Sequence, residues 1–263
     1  MTDDPGLHYE VDGSIATITL DRPERKNAFT LDTVAAWVDC LRRAAEDDRV
    51  RVVVLTGAGS AFCSGVDLSV LRSIDSTPLA YKHLLMNKIH RVALALDDLD
   101  KPIIAAINGA AVGAGLDMAL LCDLRVAARS ARLSEGYIKV GLVPGDGGAW
   151  LLPRLVGPSK AMELLLTGEF VDADEALRLG MVNRVVDDDV LLEQTYELAG
   201  MIAAAAPVQV AMIRRLVRQS ASIDLRTHFD LVSSHMGVVR SLDDYAEASA
   251  ALRERRPAQY TGR

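Results

Sequence analysis

The chain has 263 residues, half of them hydrophobic and a quarter charged, enough to bury a sizeable core as one large domain or two small ones. A net charge of −7 argues against a nucleic-acid-binding protein, which carries a basic excess, but leaves room for a local basic patch that meets an anionic ligand. Apolar runs stop short of the ~20 residues that a membrane span needs, the acidic Met1-Thr2-Asp3-Asp4-Pro5 start lacks signal-peptide form, and Cys40, Cys63 and Cys122 show no CxxC spacing, so neither a membrane, a disulfide framework nor a zinc site is expected and the setting reads as cytoplasmic.

Residues 7–20 alternate as a hairpin around Asp12-Gly13, with Tyr9, Val11, Ile15 and Leu20 among the apolar set. A polar loop over 21–28 follows and groups Arg22, Arg25 and Lys26. Thr30 or Asp32 caps a helix whose apolar positions are Leu31, Val34, Ala35, Val38, Leu41 and Ala45, and Asp47-Asp48 ends it. Val50–Leu55 reads as a strand, 56–60 as a glycine loop, and 61–68 as a segment leading into a helix. Residues 79–97 form one amphipathic helix, with Leu84, Leu85, Ile89, Val92 and Leu96 on its apolar side. Then 101–121 repeats the order of strand, glycine loop and helix, so that the pattern occurs twice, around Gly65 and around Gly113, the second helix carrying a lone carboxylate, Asp117. Leu124–Ala128 is a strand, 129–140 a loop holding Glu135, Tyr137 and Lys139, and 141–148 a turn-rich segment holding Asp146. Beyond it the chain turns mostly helical, over 147–155, 158–166, 172–179, 188–205, 208–220, 224–238 and 242–254, with a short strand at Met181–Val186. Asp172 with Glu175 has the spacing of a capping box.

The glycine loops do not fit a dinucleotide or phosphate cradle. Gly113-Ala114-Gly115 and Gly57-Ala58-Gly59 both lack the third glycine of GxGxxG, and no GK[ST] occurs. The five histidines have no metal-binding spacing, so no metal is expected, and Ser64 stands in Cys-Ser-Gly rather than GxSxG. What remains is a pair of glycine turns. Either their N–H groups converge as the fixed dipoles that an enolate oxygen needs, or the glycines only permit tight turns.

The segments Ala61-Phe62-Cys63-Ser64-Gly65-Val66-Asp67-Leu68 and Ile107-Asn108-Gly109-Ala110-Ala111-Val112-Gly113-Ala114-Gly115-Leu116-Asp117 resemble the two signature segments of the crotonase, or enoyl-CoA hydratase/isomerase, superfamily. Residues 21–28 look like its first CoA-contact loop, 141–148 like its third active-site segment, and Glu254-Arg255-Arg256-Pro257 like its C-terminal end. The resemblance implies an α/β fold, a spiral of ββα units over 1–200 that holds CoA and the active site, with a helical C-terminal region over 201–263 that drives assembly into a homotrimer or dimer of trimers. It implies oxyanion-hole donors at Val66 and Ala114. An acyl-CoA substrate would be bordered by Arg25, Lys26, Ala28, Ala61, Ser64, Asp67, Tyr137 and Arg255, and no cofactor beyond the thioester is implied.

The acids depart from the family pattern. Its hydratases carry two glutamates; Asp117 stands at the first position and Tyr137 at the second. A phenol, with a reference pKa near 10, is a poor base at neutral pH. Asp117 is therefore expected to act as the acid or base beside the substrate, with Asp146 or Glu135 as its partner. For Glu135 a surface charge, and for Asp146 a turn or cap residue, are the competing readings. Simple hydration is in doubt, and an enolate reaction such as double-bond isomerisation fits better. Related acyl-CoA chemistries (hydrolase, decarboxylase) and a non-catalytic acyl-CoA binding protein stay open.

Overall fold

In the computed structural model, which describes residues 5–72 and 77–263, the chain winds between two sheets. The acidic first four residues lie outside the described part. The larger sheet contains β1 (Leu7–Asp12), β2 (Ile15–Leu20), β3 (Val52–Gly57), β5 (Ile103–Ile107), β7 (Leu124–Ala128) and β10 (Arg184–Val186), side by side in that order. The smaller one contains β4 (Ala61–Cys63), β6 (Ala110–Val112), β8 (Arg132–Ser134) and β9 (Val171–Asp172). Among the described residues only β1–β2 and β8–β9 pair antiparallel. Three successive turns of the chain, β3 to β4, β5 to β6 and β7 to β8, each place one strand in either sheet. That is the ββα spiral expected from the sequence.

Parallel strands covered on both faces are apolar throughout rather than alternating, and β3 and β5 are buried at every residue. Val53 and Leu55 point to the main core with Trp37 and Phe29, whose rings meet edge to face at 6.2 Å. Val52 and Val54 point the other way, to Leu191, Ala199 and Ala203 of the long helix Leu191–Ala203. Among the helices, α1 (Leu31–Glu46) is capped by Thr30, whose hydroxyl accepts the Thr33 N–H, so Thr30 and not Asp32 starts it. The Asp172 carboxylate likewise accepts the Glu175 N–H at 2.8 Å.

Two expectations need correction. The span 79–97 is not one helix: α2 (Pro78–Leu84) and α3 (His90–Asp98) are joined by a wide π turn over Leu85–Ile89. A π turn inserts a residue into the helical ladder and so rotates the faces on either side of it. Here it puts Leu85 and Ile89 on a cavity wall and starts α3 at His90. Residues 110–112 and 132–134, read as loops, are strands; with three residues each they carry no periodicity for a sequence pattern to reveal.

The C-terminal region is helical, over Pro207–Gln219, Leu225–Arg240 and Asp243–Glu254. Buried Arg214 ties its first helix to the spiral through Asp123 at 2.8 Å and the Leu96 carbonyl at 3.2 Å. Among the described residues no single helix is long and apolar enough to cross a membrane.

Candidate active site

The two glycine turns meet. Chain leaves β6 at Gly113, whose φ of +53° is a conformation that favours glycine, and enters α4 (Ala114–Leu121). The other turn is so close that a Cβ on Gly65 would lie 3.4 Å from the Ala114 nitrogen. Phe29 pairs with the segment around Val66 through the Gly65 carbonyl and the Asp67 N–H, which directs the Val66 N–H to the opposite side. Ala114 is the first residue of its helix, where an N–H has no intrahelical acceptor. Neither N–H has an acceptor among the described residues, and both residues line a cavity of about 1000 Å³.

The cavity is mixed in chemistry. Its lining includes polar Arg22, Arg25, Ser64, Asp67 and Ser69, and largely apolar Tyr81, Leu85, Ile89, Val140, Leu142 and Val143. Of the residues expected to border an acyl-CoA, Arg25, Ala28, Ser64, Asp67 and Tyr137 line it, while Lys26, Ala61 and Arg255 do not. Ala61 is buried in β4, where its carbonyl accepts bonds from Asn27 and Asn108, and Arg255 sits exposed at the C-terminal end of the last helix. Arg22 lines the cavity as well. Its guanidinium is held by Asp67 at 3.1 Å, and Asp67 is itself fixed by the Ser69 N–H at 3.0 Å and hydroxyl at 2.8 Å. Those bonds, the Ser69 ones foremost, pull the Asp67 pKa below the ordinary carboxylate value.

Asp117, Glu135, Tyr137 and Asp146 converge beside the turns. Tyr137 and Asp146 stand in the cavity wall. Asp117 and Glu135 lie behind them, 0% and 2% exposed, so neither is a surface charge. The Tyr137 hydroxyl reaches Asp117 Oδ2 at 2.6 Å and Asp146 Oδ2 at 3.2 Å, and the Asp146 N–H donates to Asp117 Oδ2 at 3.2 Å. Asp146 is thus a member of this cluster and not a cap: the next helix, α5 (Gly148–Val156), has Gly147 at its cap position. His90, which no sequence motif marks, also belongs here. His90 Nε2–H donates to the Gly145 carbonyl at 2.8 Å and so holds the backbone beside Asp146. In sequence it is one of several polar residues on a helix, with no spacing to mark it.

Burial sets the electrostatics. It raises Asp117 to about 7, against the Tyr137 hydrogen bond and with the Asp146 charge adding to the rise; it raises Glu135 to about 9, with Asp117 adding to the rise; and it raises Asp146 as well, against the opposing pull of His90. The Tyr137 phenol is pushed up by the same burial and by Asp117 and Asp146 next to it. The two inner carboxyls meet over Gly148: a Cβ there would sit 2.5 Å from Asp117 Oδ1 and 2.5 Å from Glu135 Oε2. Gly148 opens α5, so the positive end of that helix faces the pair and moderates the cost of one buried negative charge.

A stability test follows from these shifts. Between about pH 4.5 and 9, Glu135 is ionised when unfolded and neutral when folded, so the folded state holds the extra proton and stability falls as pH rises. One proton corresponds to about 1.4 kcal/mol per pH unit. From pH 6 to 8, urea unfolding of the wild type is therefore expected to lose more stability than that of Glu135→Gln, by up to about 3 kcal/mol. Parallel pH profiles for the two proteins would refute a neutral buried Glu135.

Comparison with known proteins shows the family. The family model described as enoyl-CoA hydratase/isomerase matches residues 10–263. The chain is 36% identical over 255 residues to the 1,2-epoxyphenylacetyl-CoA isomerase of Escherichia coli, covering 96% of this chain and 97% of that protein. It is 35% identical to the short-chain-enoyl-CoA hydratase of Clostridium acetobutylicum, with 94% of each covered. Among solved structures, an enoyl-CoA hydratase from Bacillus anthracis superposes with a TM-score of 0.94 at 32% identity, over 98% of this chain and 100% of the other. A probable enoyl-CoA hydratase/isomerase from Mycobacterium abscessus does so with a TM-score of 0.89 at 36% identity, over 98% of each.

Proposed function

The chain belongs to the enoyl-CoA hydratase/isomerase family of the crotonase superfamily, and from that premise we propose that it moves a proton along an enoyl-CoA rather than adding water across its double bond. It is an acyl-CoA enzyme of the hydratase/isomerase type; the choice between the two reactions is our reading. In it, the thioester oxygen sits between the Val66 and Ala114 N–H groups, which hold the enolate as charge develops there. Arg22 and Arg25 meet the CoA, and the apolar part of the lining takes the acyl chain.

The observation that carries the choice is the cavity wall itself. Of the converged acid–base groups it presents one carboxyl, Asp146, and a phenol where a hydratase of this family has a second glutamate. Removing a proton from the α-carbon of a 3-enoyl-CoA and returning it at the γ-carbon needs one such group, whereas positioning and activating a water takes two. No cofactor enters this scheme, because the thioester acidifies its own α-carbon. The cytoplasmic setting and a homotrimer or dimer of trimers are part of the same proposal. The assembly is supported by exposed apolar side chains on Leu225–Arg240, among them Leu225, Phe229 and Met236.

The test is a pair of assays on the purified protein. With a 3-enoyl-CoA, absorbance of the conjugated thioester should grow in; with a 2-enoyl-CoA, its loss by hydration should be at least about tenfold slower. Fast hydration without isomerisation would overturn the reading in favour of the activity named for the Clostridium relative.

A further inference from the structure

We propose that Asp146, Tyr137 and Asp117 form a proton relay closed at its inner end by a protonated Glu135, so that the proton exchanged with substrate communicates through the Tyr137 hydroxyl with a carboxyl sealed from water. This rests on the proton-transfer reading above for its chemistry, and on proton counting for its geometry.

The Tyr137 hydroxyl has one proton and two carboxyl neighbours, at 2.6 Å in Asp117 and 3.2 Å in Asp146. The shorter contact directs that proton to Asp117. The second contact then needs a proton of its own, which only Asp146 can supply, so Asp146–OH donates to the phenol oxygen. At the inner end, Asp117 Oδ1 and both oxygens of Glu135 are buried with no donor. Orphaned carboxyl oxygens that meet over one glycine are costly, and a proton on Glu135 directed at Asp117 resolves the conflict between the two carboxyls with a single atom. Asp117 is then the one anion of the cluster. It accepts from Tyr137, from the Asp146 N–H and from Glu135, under the positive end of α5.

The transfer balances without an outside reactant. The Asp146 proton moves to the phenol oxygen as the phenol proton moves to Asp117 Oδ2. Asp146 is left as the carboxylate and Asp117 as the acid, with no change in net charge. Asp146 then takes the α-proton, and the C–H electron pair becomes the enolate held by the two N–H groups. The same proton returns from Asp146 at the γ-carbon. Tyr137 thus sets the ionisation of Asp146 before the substrate reacts, a role that phenylalanine cannot fill. The other titratable groups that act on Asp146 are His90, Glu135 and the buried Cys63 thiol, and none of them bridges it to Asp117.

The deciding experiment compares wild type, Tyr137→Phe and Glu135→Gln as purified full-length protein. For Tyr137→Phe we expect kcat on a 3-enoyl-CoA to fall about 10²-fold, with KM within about threefold of wild type. Asp146 loses a donor to its charged form, so the acid limb of kcat/KM should move to higher pH. Infrared spectra at pH 7 give a readout that needs no turnover: wild type should show carboxylic-acid C=O bands, one of which disappears in Glu135→Gln. Unchanged kcat and pH profile in Tyr137→Phe would overturn the relay, and so would the absence of a Glu135 acid band. A wild type that shows the band but converts no enoyl-CoA would instead sink the reaction proposed above and leave the proton count standing. If Tyr137→Phe does not fold, the wild-type and Glu135→Gln spectra decide alone.

Discussion

Asparagine in place of Asp146 is expected to lower kcat on a 3-enoyl-CoA by about 10² to 10⁴, the range for loss of a positioned acid–base group, while the affinity for a saturated acyl-CoA changes by less than about threefold. The substitution isolates one property. Asparagine has the size of aspartate and its amide N–H can donate to the Tyr137 oxygen as the Asp146 carboxyl does, so the contact at 3.2 Å survives. It cannot take a proton. Asp146 is the only carboxyl of the converged four that both lines the cavity and has a raised pKa, because Asp117 and Glu135 lie behind the wall and Tyr137 is a phenol. The raised pKa brings a carboxyl closer to the neutral range where a general base works best. Exchange of the α-protons of a saturated acyl-CoA with D₂O offers a second measurement that does not depend on the position of the double bond, and it should be lost in parallel. A variant that retained both turnover and exchange would require Asp117 to act on substrate directly, from behind Tyr137, and would refute the assignment.

How far the sequence speaks depends on how much each feature spends on periodicity. β3 and β5 were legible because a strand buried on both faces must be an unbroken apolar run. The hairpin at Asp12-Gly13 and the Thr30 cap were legible because those residue types carry a local mechanism of their own. The second sheet was mostly silent. Strands of two or three residues, such as Val171–Asp172, are placed by the neighbours they pair with and not by their own composition. The π turn was silent too, because leucine and isoleucine at helical spacing read the same with or without the extra residue.

The site divides the same way. Gly65 and Gly113 announced two turns, and their convergence follows from β4 pairing with β6. The four acid–base residues did not announce their arrangement. Glu135 and Asp146 lie eleven residues apart, in a stretch holding a short 3₁₀ turn over Gly136–Val140 and a left-handed Gly141, and only the folded path shows that one faces inward while the other lines the cavity. A substitution of glutamate by tyrosine looked like the loss of a function. In the folded chain the same phenol touches two carboxyls, which is a different statement about what the position does.

Proline at position 114 is expected to cost about 10² to 10³ in kcat, the usual effect of removing one donor to a developing oxyanion, with little loss of stability. Few backbone N–H groups can be deleted so cleanly. Ala114 is the first residue of α4, where proline's fixed φ suits a helix and its missing N–H would have no intrahelical acceptor. The residue before a proline is normally restricted by its Cβ, but here that residue is Gly113, which has none. The proline Cδ occupies the space of the lost N–H, so an acyl-CoA carbonyl meets a methylene where it met a donor. A thioether analogue, which lacks that carbonyl, should bind wild type and Ala114→Pro within about threefold, since Arg22 and Arg25 in the cavity lining are untouched. The pattern that supports two converging donors is loss of turnover and of enolate formation together, with thermal unfolding and thioether binding retained. Turnover within a few-fold of wild type would mean that the thioester oxygen lies elsewhere, and that the meeting of the Gly65 and Gly113 turns serves only to pack β4 against β6.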